Sequence, residues 1–285
     1  MNQPSIFGAT SRILRRLLWY LTAVIVALVF ALPFFWMFFA AFKTPQQSIQ
    51  YPPHFWPDPW TINGFIKGFR VGIFDKYLLN TIFIAVTATA GTALSSSLVA
   101  FGFARLRARG KHIWFVILIS TMMIPGNVTL LPMFVLYSKI GWVNTFLPLI
   151  VPAYLGGSAF SIFLLKQFFS TLPKELCEAA KIDGSSWFGI FSRIFIPNAK
   201  PALMVVAIFA LVSHWNDFFG PMIYLTDPKK YTVAVGLQFF RTQYGTAMDM
   251  APLMAMSLVS VLPIILLFAC AQKYFIQGIV TTGIK

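Results

Sequence analysis

"CEAAKIDGSSWFGIFSRIFIPNAKP", residues 177–201, holds two acids and three bases in a chain that elsewhere avoids charge. Of the 285 residues only 11% are charged and 58% are hydrophobic, and the mean hydropathy is +0.75. Soluble domains sit nearer half apolar and a quarter charged, so the composition favours a protein dissolved in lipid. In such a chain a charged segment is a loop between spans, and its flanks decide the fold.

Outward from this stretch lie six apolar runs long enough to cross a bilayer core, which takes about 20 residues at a rise of about 1.5 Å each. They fall near 17–42, 78–104, 113–136, 146–165, 202–224 and 251–272. Arg12, Arg15 and Arg16 precede the first run as in a secretory signal. That run exceeds the roughly 7–15 residues of a signal core, however, and has no small-x-small cleavage site before Lys43, so it reads as a retained anchor. The fold class expected is all-α: a polytopic membrane protein with six transmembrane helices, one transmembrane domain over 1–285 with a loop at about 167–200. Met122 and Met123 with Pro125-Gly126 interrupt the third run and mark either a pathway-lining break or a simple kink.

Loops rich in Lys and Arg stay in the cytoplasm. With both termini inside, the inner segments hold fourteen bases and the outer loops eight, and "RLRARGK", 105–111, packs four of them into seven residues. The net charge of +14 is thus read as topology rather than as a nucleic-acid surface, because the bases fall between apolar runs instead of on one solvated face. Among outer segments, "YPPHFWPDPW", 51–60, has too many prolines for a regular helix, and its aromatics suit a membrane interface. It is either a docking surface for an external partner or an interfacial cap. A second outer loop, 226–250, is also longer than a connection requires.

Within the opening stretch, Pro173 precedes Glu175, Leu176, Ala179, Ala180 and Ile182, and Asp183-Gly184 follows, a pattern predicting a helix of about two turns ended by a turn. "WFGIFSRIFIP", 187–197, resumes as an apolar-faced helix until Pro197 and Pro201 lead into the next span. Such a segment either fits a groove on a cytoplasmic partner or lies at the interface as an ordinary helix.

The order Glu178-Ala179-Ala180, Asp183-Gly184, Ile194, Pro197, placed before the last two spans, resembles the "EAA" motif of ATP-binding-cassette importer permeases. "HWNDFFGPMIYLTD", 214–227, and the last span with its tail, 251–285, resemble the carbohydrate-uptake, maltose-type branch, second permease subunit. Cys177 departs from the small apolar residue usual there, a change that packing tolerates. The resemblance implies the type I permease fold, with Glu178, Ala179, Ala180, Asp183, Gly184, Ile194 and Pro197 as a coupling helix set in a cleft of the ATPase. It implies a second homologous permease, a dimeric ATPase that carries the ATP and Mg, an extracytoplasmic solute-binding protein and a carbohydrate cargo. No cofactor in this chain and no nucleic acid are expected. The expected place is a bacterial or archaeal plasma membrane, the inner one in a Gram-negative cell, with several passes and both termini cytoplasmic. The tail "QGIVTTGIK", 277–285, resembles termini that in some members reach between the ATPase subunits.

Counting from Pro201 at about 1.5 Å per residue puts His214, Trp215, Asn216 and Asp217 about 20 to 24 Å up, in the outer half. An acid at that depth faces protein or a water cavity. These residues are candidates for the substrate pathway, or Asp217 makes an interhelical hydrogen bond. Ala88, Gly91, Ser95, Val99 and Gly102 form a small-residue stripe expected to pack a helix. Gly110-Lys111 lacks the spacing of a phosphate-binding loop, Cys177 and Cys270 are far apart, and His54, His112 and His214 are dispersed, so no catalytic or metal site is predicted. The rival readings are an ion-coupled secondary transporter using Asp217, and an importer of glycerol 3-phosphate or polyols.

Overall fold

The structure is a computed structural model that describes residues 6–71, 73–244 and 249–283, with side chains over 14–70, 73–242 and 249–272. Among the described residues every regular element is a helix. Four helical stretches are long and apolar enough to cross a membrane, or six if each of two bent pairs counts as one span. The chain forms two compact units, Met1–Phe69 with Phe240–Val259, and Arg70–Phe239 with Ser260–Lys285.

The first unit is built on α1 (Ile6–Ala41), whose apolar side chains from Leu14 to Phe30 are exposed within it. After α1, Thr44 and Gln47 cap α2 (Pro45–Ile49) reciprocally: the Gln47 N–H donates to Thr44 Oγ1 and the Thr44 N–H to Gln47 Oε1. The proline-rich loop then turns its rings back onto α1. Phe39 meets Phe55, Trp56 and Trp60 at centroid distances of 5.1, 4.7 and 5.9 Å. Lys43 is buried in this cluster, donating from Nζ to His54 O at 2.5 Å with Trp36 at 4.3 Å, and burial lowers its pKa. In α3 (Asn63–Val71), Gly64 permits close approach: a Cβ there would lie 2.8 Å from Ala41 O and 2.9 Å from Ala251 O. The Lys67–Asp249 ion pair, 2.8 Å, joins α3 to the segment before the last helix.

The second unit is organised by α4 (Phe74–Arg105). Its buried face is short and hydroxylated, with Ala85, Ala88, Thr89, Gly91, Thr92, Ser95 and Ser96. Lipid gives helices no hydrophobic reason to associate, so close van der Waals packing and shared hydrogen bonds must hold them. The fourth and fifth spans pack on α4, and both of them, like the third, are broken. The third run becomes α5 (Lys111–Ser120) with a 3-10 turn and α6 (Gly126–Lys139), bent by 98° at Ile124-Pro125. The fourth becomes α7 (Leu147–Tyr154) and α8 (Ala159–Thr171), longer than the expected 146–165 and interrupted at residues 155–158.

Between α8 and the fifth span lie α9 (Glu175–Ile182), α10 (Trp187–Ile190), a π-helical turn Phe191–Phe195 and α11 (Ile196–Asn198). The chain bends by 81° into α12 (Lys200–Trp215). The expected continuous span 202–224 is corrected: it stops at Trp215, and α13 (Phe219–Tyr224) is a separate short helix. Asn144 ties the loops at that end, accepting the Asp227 N–H at 3.0 Å and donating its own N–H to Tyr224 O at 2.7 Å. The chain continues in α14 (Val233–Tyr244) and α15 (Ala251–Gly283). The side chains of the tail 277–285 lie outside the described residues, as do residues 284–285 altogether.

Candidate functional site

Breaking a helix inside a membrane frees backbone groups that lipid cannot satisfy, so the protein must supply partners. At 155–158 the polar face of α4 supplies them. Ser95 Oγ lies 2.7 Å from Ala153 O, at the end of α7, and Ser96 Oγ accepts the Ser158 N–H at 3.2 Å, at the start of α8. Gly157 is in the left-handed region, φ 67°, and a Cβ there would overlap Ser96 Oγ. The Tyr154 hydroxyl donates to Thr87 O at 3.0 Å while its ring covers Gly91, where a Cβ would lie 2.5 Å away. The small-residue stripe of α4 is therefore used within this chain at Gly91 and Ser95, and Val99 is only half-buried.

The fifth span breaks at Asn216. Its amide folds back, donating from Nδ2 to Val212 O at 3.0 Å, and Trp215 is buried. Asp217 Oδ1 accepts the Gly220 N–H at 3.1 Å, and Gly220 leaves room for it, since a Cβ there would lie 2.5 Å from Asp217 Oδ2. His214 Nε2 stands 3.4 Å from Thr92 Oγ1 on α4.

All three breaks open on one cavity of about 580 Å3. Gly126 and Asn127 line it from the third span, Gly157, Ser158 and Ser161 from the fourth, and Ser213, His214, Asp217 and Gly220 from the fifth. Of the four residues expected along a substrate pathway, His214 and Asp217 reach this cavity; Trp215 and Asn216 do not. Sequence reasoning missed Asn127, Ser161 and Ser213. The signals for the first two were Pro125-Gly126 and Gly156-Gly157, glycine-bearing interruptions of apolar runs, here facing one space.

The second candidate region is the segment after α8. Gly184, φ 77°, ends α9 with a Schellman motif, in which the Ser185 N–H donates to Ala180 O at 2.9 Å and the Gly184 N–H to Lys181 O at 3.0 Å. Ser186 Oγ caps α10 by accepting the Gly189 N–H at 3.1 Å. Ala180 and Cys177 are buried against the ends of α4 and α8, with Ile194 packed beside them, whereas Glu178, Ala179, Asp183, Gly184 and Pro197 are exposed. Arg105 anchors the segment: it donates to Phe169 O at 2.7 Å and to Leu172 O, closing the carbonyl end of α8, and lies 5.1 Å from the Phe195 ring. Phe101 meets Phe195 and Phe191 at 4.9 and 5.4 Å. Lys181 sits 3.7 Å over Trp187, joining α9 to α10. The basic run read only as a mark of sidedness thus also carries a structural residue.

Residues 94–281 match the family described as binding-protein-dependent transport system inner membrane component. The chain belongs to this family. As a permease of that type it spans the membrane several times and is not the ATPase, whose hydrolysis resides in a separate subunit; a solute-binding protein and an ATPase are the partners that such permeases imply. Among its relatives, the arabinooligosaccharides transport system permease protein AraQ of Halalkalibacterium halodurans is 34% identical, over 81% of this chain and 82% of that protein. The trehalose/maltose transport system permease protein MalG of Thermococcus litoralis is 32% identical over 74% of this chain and 76% of its own. A solved bacterial ABC transporter, involved in the import of the acidic polysaccharide alginate, matches with a TM-score of 0.79 over 96% of this chain and 100% of that one, at 22% identity. That likeness is one of fold. The family is one of binding-protein-dependent transport, which does not favour an ion-coupled carrier.

Proposed function

We propose that this permease forms half of the translocation pathway of an ATP-binding-cassette sugar importer, as the second of two homologous permeases. It receives sugar from an extracytoplasmic solute-binding protein and couples to a dimeric ATPase through Glu178, Ala179, Ala180, Asp183, Gly184, Ile194 and Pro197. His214 and Asp217 belong to the pathway for the sugar; Trp215 and Asn216 support the helix end that presents them. ATP and Mg reside on the ATPase, and this chain holds no cofactor of its own. It sits in a bacterial or archaeal plasma membrane, the inner one of a Gram-negative cell, with both termini cytoplasmic, as one transmembrane domain over 1–285.

The observation that carries the cargo class is the similarity to permeases named for arabino-oligosaccharides and for trehalose and maltose, each above 30% identity over more than two thirds of this chain. What supports the coupling role is the split character of the 173–198 segment. One face is clamped by Arg105 and Phe101 onto two membrane spans, and the other exposes Glu178, Ala179, Ile182, Asp183 and Gly184. Alternating access needs an engine whose two states contact such an element differently.

Substitution tests this directly. Among the described residues nothing lies within 4 Å of a Cβ at Gly184, so the space beside this position is open. Gly184→Trp and Glu178→Lys, assembled with their ATPase, are expected to insert normally and to retain ATP hydrolysis while uptake falls more than tenfold. Gly184→Ala, which shares the left-handed strain without the bulk, separates backbone from collision. Unchanged uptake in both bulky and charge-reversed variants overturns the coupling assignment.

A further inference from the structure

We infer that the cavity where the three broken spans meet is a binding subsite for a neutral saccharide, held by this subunit's own Asn127, Ser161, Ser213 and Asp217, and that it rejects uronates and sugar phosphates. The inference rests on the reading of the chain as a sugar-importer permease and deepens it, by assigning a site and a charge class.

Unspent hydrogen-bonding capacity is the first ground. Ser161 is 4% exposed, yet its hydroxyl makes no hydrogen bond among the described residues, although a helical serine ordinarily turns back to a carbonyl three or four residues earlier. Asn127 and Ser213 likewise have no side-chain partner among the described residues. These groups come from three different spans and face one space, offering donors and acceptors at separated points, as a ligand carrying several hydroxyls requires. Packing elsewhere in the unit does not use them.

Shape and charge then narrow the class. The volume of about 580 Å3 lies inside the range of small-molecule sites. Phe160 and Phe209, edge-to-face at 5.8 Å, both line the wall, giving apolar surface on which the C–H face of a sugar ring can rest. Asp217 is the sole carboxylate among the lining residues, and neither Lys nor Arg is among them. A neutral sugar donates its hydroxyls to that carboxylate in a charge-assisted hydrogen bond. A uronate or phosphate would instead bring a second anion beside it, with neither Lys nor Arg in the lining to offset the repulsion.

The test is ligand protection of a cavity thiol in the assembled importer. In a Cys177→Ser, Cys270→Ser background, Ser213→Cys is reacted with a small methanethiosulfonate reagent in the presence of maltotriose, arabinotriose or trigalacturonate, while uptake of each is followed in the parent importer. Whichever neutral trisaccharide is taken up is expected to slow modification at least fivefold, with trigalacturonate changing it by less than 1.5-fold. Uptake of a neutral trisaccharide without protection overturns the subsite and leaves the importer assignment standing. Equal or better protection by trigalacturonate, or uptake of it alone, overturns the charge class. Uptake of no saccharide at all strikes at the sugar-importer reading instead. Should Ser213→Cys resist the reagent, Asn127→Cys on another broken span is the second probe, and failure of both to react shows a space closed to water, which overturns the inference.

Discussion

Gly157 shows how one residue can hold a broken span together. Its positive φ is disfavoured for any side chain, and the Ser96 hydroxyl that satisfies the next helix occupies the space a Cβ would need. Gly141 has a similar φ, 73°, but open space around it. The pair separates conformational strain from collision. Gly157→Ala is expected to cost about 2–4 kcal/mol, since it adds displacement of Ser96 to the strain, against about 1–2 kcal/mol for Gly141→Ala. Thermal unfolding of the detergent-solubilised chain measures both, and equal losses would show that the Ser96 contact carries no weight. The sequence announces Gly157 only as part of a Gly-Gly pair in an apolar run; which of the two meets a hydroxyl from α4 depends on a partner some sixty residues away.

At the scale of the element, the α9 segment divides what can be read from sequence from what cannot. Its length and its glycine stop are local properties, and α9 ends where Asp183-Gly184 requires. Which of its faces is buried is not local, because nothing in "KELCEAAKI" identifies Cys177 and Ala180 as the residues that meet α4 and α8. From sequence, Cys177 looks like a natural reporter of which side of the membrane the loop occupies. The structure makes it a poor one: the thiol is buried, and burial raises its pKa above the ordinary 9.0, with Arg105 and Lys181 opposing only in part. The thiolate is the reacting form, so a raised pKa means less of it at any pH below that value. Labelling of Cys177 is expected to be slow at pH 7, and the midpoint of its rise with pH is expected to lie above that of an ordinary exposed thiol. Ile182 is 87% exposed and serves better. In a background lacking both native cysteines, Ile182→Cys is expected to react with an impermeant maleimide in inside-out vesicles and not in intact cells; the reverse would invert the proposed topology.

For the whole molecule, hydropathy located the spans because lipid tolerates little else. It also set the limits of that reading. Hydropathy responds to unbroken apolar runs, while three of the runs are bent or divided at Pro125-Gly126, at 155–158 and at Asn216. Partners on α4 satisfy the backbone at the second of these breaks, and sequence distance hides such partners. The exposed apolar length of α1 within its own unit points likewise to surroundings of lipid or protein outside the unit. A broken-helix carrier with one intramembrane acid invites the ion-coupled alternative, and the energy source decides between them. Uptake by proteoliposomes holding the complete importer is expected to persist when proton and sodium gradients are collapsed, and to fall at least tenfold when enclosed ATP is withheld. Gradient-driven uptake by this chain without any ATPase would reverse the assignment.

The π-helical turn at Phe191–Phe195 has a consequence for how this protein can vary. A wide turn of that kind accommodates a surplus residue between two otherwise ordinary stretches. Removing one residue from the middle of an α-helix rotates everything downstream by about 100°, which in α12 would swing His214 away from Thr92. Removing one here instead lets the wide turn relax to standard pitch while both flanks keep their phase. The turn is thus a slack link in the segment, where chain length can drift by a residue without turning the spans that follow.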